Sequence, residues 1–147
     1  MRSFEELEAA IDAVSAETGV QSGAEELLAV SEEVLEHWLE ARELAPTDET
    51  REGFRLLALH RQGTKGDPSF NACRETCREV AYHYNLLTVP SDDGETTNRL
   101  EMMKMISKHL LLFVSGKMQV AELGEFCCSS KPIRLSGEND SQETREA

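Results

Sequence analysis

Apolar residues recur at three- and four-residue intervals through most of this chain, the period of a helix that turns one face to a core, and no alternating run is long enough for a strand. Leu7, Ala10, Ile11 and Val14 form the first stripe. Ser3 and Glu6 fit a capping box at its start and Gly19 stops it, which predicts a helix from about Phe4 to Glu17. Ser22 and Glu25 repeat the capping pattern and open a longer helix to about Leu44. Its inward side is Leu27, Leu28, Val34, Leu35, Trp38 and Leu39, and Glu25, Glu32, Glu33, Glu36 and Glu40 are expected to face water.

Pro46-Thr47-Asp48 breaks the pattern, and a third helix is expected from Glu49 to about Arg61, burying Phe54, Leu56, Leu57 and Leu59, with Gly63 as its stop. Asp67 is suited to cap a fourth helix that has Pro68 as its first residue and runs to about Leu87. A fifth, from about Glu95 to Lys117, carries Leu100, Met103, Ile106, Leu110, Phe113 and Val114. Gly116 ends or bends it, and residues 120–126 add a short helix. The predicted fold is all-α, an antiparallel helical bundle of about five helices. Residues 1–128 are read as one domain, an acidic helical third over 1–45 and a core bundle over 46–128. Residues 129–147 hold few large apolar side chains and are expected to form a flexible, disordered acidic tail.

A chain of 147 residues is long enough to bury a core without disulfides or a structural metal. Its most apolar run, Leu110 to Val114, falls far below the ~20 residues that span a bilayer, so no membrane segment is expected. The acidic start, Met-Arg-Ser-Phe-Glu-Glu, is unlike an export leader and implies a cytoplasmic location. In that compartment four cysteines read as reduced thiols, metal ligands or reactive groups before they read as a disulfide framework.

The net charge of −13 is unevenly placed, with fourteen acids against Arg2 and Arg42 in residues 1–50. That field repels phosphate backbones, and no basic stripe interleaved with aromatics offsets it, which argues against nucleic-acid binding. The acidic third reads either as a solvated face or as a surface for a basic partner or for the chain's own Arg51-to-Arg78 region.

Candidate chemistry centres on the fourth helix. Phe70, Cys73, Cys77, Val80, Tyr84 and Leu87 recur at spacings of three and four, so both thiols lie on the core stripe, where cysteine acts as a small hydrophobe. A metal reading stands beside this one. Cys73 and Cys77 supply two ligands, and Cys127 and Cys128, or a histidine, would complete a site for zinc or another thiophilic metal. For redox chemistry, thiols one turn apart on an intact helix point in parallel and would strain a bridge, so a bridge to Cys127 or Cys128 is easier. Arg74 and Arg78 favour a thiolate, while Glu75 and Glu79 oppose them.

Lys65, Asn71, Arg74 and Arg78, with the free amides at the helix start, form a candidate anion site. The stretch Gly-Thr-Lys-Gly-Asp-Pro-Ser lacks the ending of a nucleotide-binding phosphate loop. His37, His60, His83 and His109 fall on separate helices, and Glu33–His37 and Glu79–His83 are four apart where di-iron pairs need three. No nucleophile elbow, zincin motif or dinucleotide fingerprint is present.

These features point to a cytoplasmic, non-enzymatic helical binding or regulatory protein that acts through protein–protein contacts as a homodimer, with no cofactor. One alternative is a thiol-based redox sensor or metal-binding bundle using Cys73 and Cys77 with Cys127 or Cys128. A second is a small enzyme built around Arg74, Arg78 and His83.

Overall fold

The computed structural model of the chain describes residues 1–89 and 94–121. Five α-helices account for most of them: α1 (Phe4–Ala13), α2 (Val20–Ala41), α3 (Arg55–Gly66), α4 (Arg74–Thr88) and α5 (Thr96–Val120). Short 3-10 turns over Ala16–Thr18 and Pro68–Cys73 lead into α2 and α4. No strand occurs among the described residues, so the all-α bundle of about five helices expected from the periodicity is the fold. No helix among them is long and apolar enough to cross a membrane. The chain divides into two compact units, Met1–Ser115 and Gly116–Ala147, and of the second only residues 116–121 are described. The expected helix over 120–126 and the tail over 129–147 thus lie largely or wholly outside the described residues.

Helix boundaries move where local chemistry overrides the apolar pattern. The capping box at α1 forms, with the Glu6 amide donating to Ser3 Oγ at 3.1 Å and the Ser3 amide donating to Glu6 Oε1 at 2.9 Å. Helix α1 stops at Ala13, short of the expected Glu17, because Val14 turns to extended backbone and still buries its side chain. Ser22 caps nothing. It lies inside α2 and its hydroxyl donates back to the Gly19 carbonyl at 3.2 Å, while Gly19, at φ 121°, is the cap.

The third helix begins six residues later than expected. Arg51 and Phe54 exchange both backbone hydrogen bonds, at 2.9 and 3.0 Å, around Glu52 (φ 56°) and Gly53 (φ 86°). Two successive positive φ values make a tight reversal that no helix can cross. Gly63 does not end α3 either. It is buried inside the helix under the Phe70 ring.

Helix α2 is the axis of the core. Leu27, Val30, Val34, Leu35 and Leu39 are fully enclosed, and α1, α3 and α4 all pack on it. Helices α1 and α2 run antiparallel, with Arg2 meeting Glu33 and Val14 meeting Gly23. Helices α3 and α4 also run antiparallel, while α3 ascends alongside α2 from Arg55 beside Glu32 to Gly66 beside Arg42. On α5, Leu100, Met103, Leu110 and Val114 are buried as expected, and Ser107 joins them on the same stripe. Its hydroxyl lies 3.4 Å from that of Ser31, which donates to the Leu27 carbonyl at 2.8 Å. Ile106 and Phe113 are half-buried, and Met102, Met105 and Leu112 are exposed on the outer side.

The acidic face of α2 is only partly solvated. Arg2 reaches Glu26 at 2.8 Å and Glu33 at 2.6 Å, and Arg55 reaches Glu32 at 3.4 Å and Glu36 more closely still. Glu32, Glu33 and Glu36 are therefore half-buried ion-pair partners, and Glu25 and Glu40 are the exposed ones. Arg55 belongs to the Arg51-to-Arg78 region that the acidic third was expected to meet as one option.

Candidate functional site

Three segments converge on one hollow. The reversal at residues 51–54 presents Arg51 and Glu52. Leu57, His60, Arg61 and Thr64 recur at spacings of three and one on α3 and so share a face. Asn71 on the 3-10 turn and Arg74 and Arg78 on α4 close the opposite side, around a volume of about 410 Å³. Asp67 caps that turn, as the sequence predicts, by accepting from the Ser69 amide at 3.0 Å with Pro68 at the first position.

Four arginines face one carboxylate here. Arg78 donates to both Glu52 oxygens, at 3.1 and 3.2 Å, and this pair holds the Glu52 carboxyl below the usual carboxylate range, with Arg51 and Arg74 adding to the effect. Arg51, Arg61 and Arg74 enter no salt bridge among the described residues. Glu52 holds a left-handed backbone conformation that costs a non-glycine residue roughly 1–2 kcal/mol, and it does so where its carboxylate meets Arg78.

His60 forms one wall. It is 7% exposed, its ring stacks on Phe70 at 5.7 Å, and its Nε2 is buried with no hydrogen-bond partner among the described residues. A buried polar atom left unpaired is costly, and such atoms concentrate where a ligand or a reaction uses them.

Next to His60 lies the first of two buried thiols. Cys73 is the residue that caps α4, at the junction of the 3-10 turn and the α-helix, and Cys77 is one turn further on. Both are buried, and Cys73 Sγ donates to the Phe70 carbonyl at 3.2 Å. The hydrogen bond from Cys77 is the main force drawing the Cys73 thiol down from 9.0 to about 6; burial opposes it and the adjoining His60 imidazole reinforces it. The same bond, with burial, pushes the Cys77 thiol well up. Of the two thiols, Cys73 is therefore the one that ionises first.

The structure therefore brings together Asn71, Arg74 and Arg78 from the expected anion site, and places Cys73 beside them. Lys65 is exposed at the end of α3 and does not line the hollow. His83 does not line it either, and its Nδ1 meets the Glu79 carbonyl at 2.9 Å. Cys127 and Cys128 lie outside the described residues, and among those described no set of three or more histidines, cysteines and carboxylates converges to hold a metal.

Sequence reasoning missed Arg51, Glu52, His60 and Arg61. One local signal was available, the Glu52-Gly53 dipeptide, which favours a reversal over the helix start assigned there. A larger depression of about 660 Å³ lies between the start of the chain and α2, lined by Arg2, Glu6, Glu32, Glu33 and Glu36 among others. Its charged side chains already satisfy one another or pair with Arg55 and Ser3, so it offers a ligand less. Comparison with protein-family models, curated proteins and solved structures finds no match for this chain.

Proposed function

We propose that this protein is a binding module for an anionic group, a phosphate or clustered carboxylates, carried by a partner protein and received in the hollow lined by Arg51, Arg61, Arg74 and Arg78. The observation that carries this reading is the concentration of four arginines around a single carboxylate on a chain whose net charge is −13. A cationic concavity on an acidic molecule focuses its field on the hollow, while the surrounding acidity repels nucleic acids and other extended polyanions. Guanidinium groups suit the task, since their planar forks engage phosphate and carboxylate oxygens in pairs. Asn71 and Thr64 add neutral hydrogen-bonding groups to the lining.

The hollow is half-open and lined mostly by polar groups, which fits an exposed side chain of a partner better than an enclosed apolar metabolite. Calorimetric titration with pyrophosphate and with a phosphoserine peptide tests the reading. Binding of both is expected at low salt, with the peptide tighter because the partner's backbone adds contacts at the rim. Arg74→Ala should weaken either by roughly 10- to 100-fold, the worth of one or two charge-assisted hydrogen bonds. Equal affinity for both probes would assign the hollow to free anions; no binding of either, or an Arg74→Ala protein that binds as the wild type does, would overturn the reading.

A further inference from the structure

We infer that Cys73 and Cys77 form a reversible oxidation site for small hydroperoxides, and that closing their bridge resets the first turn of α4 and with it the arginine hollow. The oxidation site stands on its own geometry. Its control over the hollow rests on the anion-binding reading above.

Four features place it there. Cys73 caps α4, so its sulfur lies at the positive end of the helix dipole, at the junction of the 3-10 turn and the α-helix. Cys77 lies one helical turn further on, buried like Cys73, and is the second thiol a bridge requires. His60 adjoins the Cys73 sulfur and keeps a buried, unpartnered Nε2. Arg74 follows Cys73 and Asn71 stands two residues before it, and both line the hollow together with His60, while Cys73 itself is buried outside that lining, so the proposed oxidant enters through the wall of the hollow. The ready ionisation of Cys73 agrees with this arrangement.

The chemistry balances with a hydroperoxide as oxidant. The Cys73 thiolate attacks one peroxide oxygen and the O–O bond breaks. The proton lost when Cys73 ionised returns, through the His60 imidazole, to the departing oxygen, which leaves as water or alcohol. Cys73 is then a sulfenic acid. The Cys77 thiol attacks that sulfur, the S–O bond breaks, and the hydroxyl leaves as water with the Cys77 proton. Two thiols have lost two electrons to the peroxide, and an external dithiol restores them.

Closing the bridge has a mechanical consequence. Residues four apart on a helix hold their Cα atoms about 6 Å apart, inside the range a disulfide tolerates, but their Cβ atoms sit about 5–6 Å apart where a disulfide needs roughly 4 Å. The first turn of α4 must therefore deform. Arg74 lies within that turn and Arg78 directly follows Cys77, so both guanidinium groups shift relative to Arg51 and Arg61 on the other wall. A bridge closed under strain is also an easily reduced one, as a switch requires.

The test uses the full chain treated with hydrogen peroxide and digested by trypsin without reduction. Cleavage after Lys65, Arg74 and Arg78 separates the two cysteines, so the expected product is the segment Gly66–Arg74 joined by a disulfide to Glu75–Arg78. In Cys77→Ser, dimedone should label Cys73. Pyrophosphate affinity should fall by roughly tenfold or more on oxidation and return with dithiothreitol. The joined peptides with unchanged affinity would overturn the control over the hollow. The joined peptides with no pyrophosphate binding in either state would remove the anion reading and leave the oxidation site standing. Cys73 found bridged to Cys127 or Cys128, or both helical thiols left reduced, would overturn the oxidation site, and pyrophosphate binding by the reduced protein would then stand alone.

Discussion

Gly63 and Phe70 are in direct contact: a Cβ on Gly63 would lie 2.7 Å from two carbons of the Phe70 ring. Phe70 in turn stacks on Trp38 with ring centroids 5.0 Å apart and planes at 9°, so the glycine sets how closely α3 approaches the aromatic pair beside the hollow. In an exposed helix interior, alanine would be the better residue by about 1 kcal/mol. Here the methyl group meets a ring already stacked on Trp38, and overpacking wins. Gly63→Ala is expected to destabilise the protein by about 1–3 kcal/mol in urea unfolding. Unchanged or increased stability would show that the ring moves freely.

Arg55 joins α3 to the acidic face of α2 through Glu32 and Glu36, and none of the three side chains is more than a quarter exposed. Arg55→Met keeps most of the packing and removes the charge, leaving two half-buried carboxylates without their partner, for an expected loss of about 1–3 kcal/mol near neutral pH. The pH dependence has a definite sign. Burial raises the Glu32 carboxyl above its ordinary 4.5 despite Arg55, so the native state holds that proton more tightly than the unfolded chain does. Glu32 therefore opposes folding when ionised, and the opposition fades on acidification. The deficit of Arg55→Met should be fully present above the carboxylate range and shrink as pH falls through it. A deficit that stays constant down to the lowest pH at which the protein is folded would assign the loss to packing.

The Cys73 thiol, drawn down to about 6 while its partner is pushed up, gives the pair a distinctive titration. In a Cys127→Ser, Cys128→Ser background, thiolate ultraviolet absorbance should rise by one equivalent near pH 6 and by the second only well above 9.0. For stability the sign is that of a depressed acid. The Cys73 contribution is present in full above the ordinary thiol value of 9.0 and is lost as pH falls toward about 6. Cys77→Ser, which retains a hydrogen-bonding group, should move the first step less than Cys77→Ala does. A single two-proton step at the ordinary thiol value would show that the sulfurs do not interact.

Much of the fold was legible in the residue pattern. Phe70, Cys73, Cys77, Val80 and Leu87 lie on one stripe, and all five are buried, because a period near 3.6 is a local property that survives any arrangement of the bundle. The same holds for the Ser3–Glu6 capping box and for Asp67 before Pro68, which depend on atoms a few residues apart. Ends set by competing local choices were less legible. Glu52-Gly53 carries a reversal signal and the residues around it a helical one, and the reversal prevails because Arg51 and Phe54 bond across it.

The candidate site shows where the sequence by itself stops. It determined that Asn71, Arg74 and Arg78 share one side of a helix and that two thiols stand beside them on the core stripe, since those relations are written in spacing alone. Only the tertiary structure decided that α3 runs back along α4 and brings Arg51, Glu52, His60 and Arg61 to face them across the hollow. It also placed Cys73 at the cap of α4 instead of inside an unbroken helix, which changes what a one-turn pair of thiols can do. The physical reason is the same in both cases. Arginines gather around a carboxylate, and an imidazole settles against a thiol, through contacts between residues far apart in the chain, and those contacts exist only after burial of the shared apolar core has fixed how the helices lie.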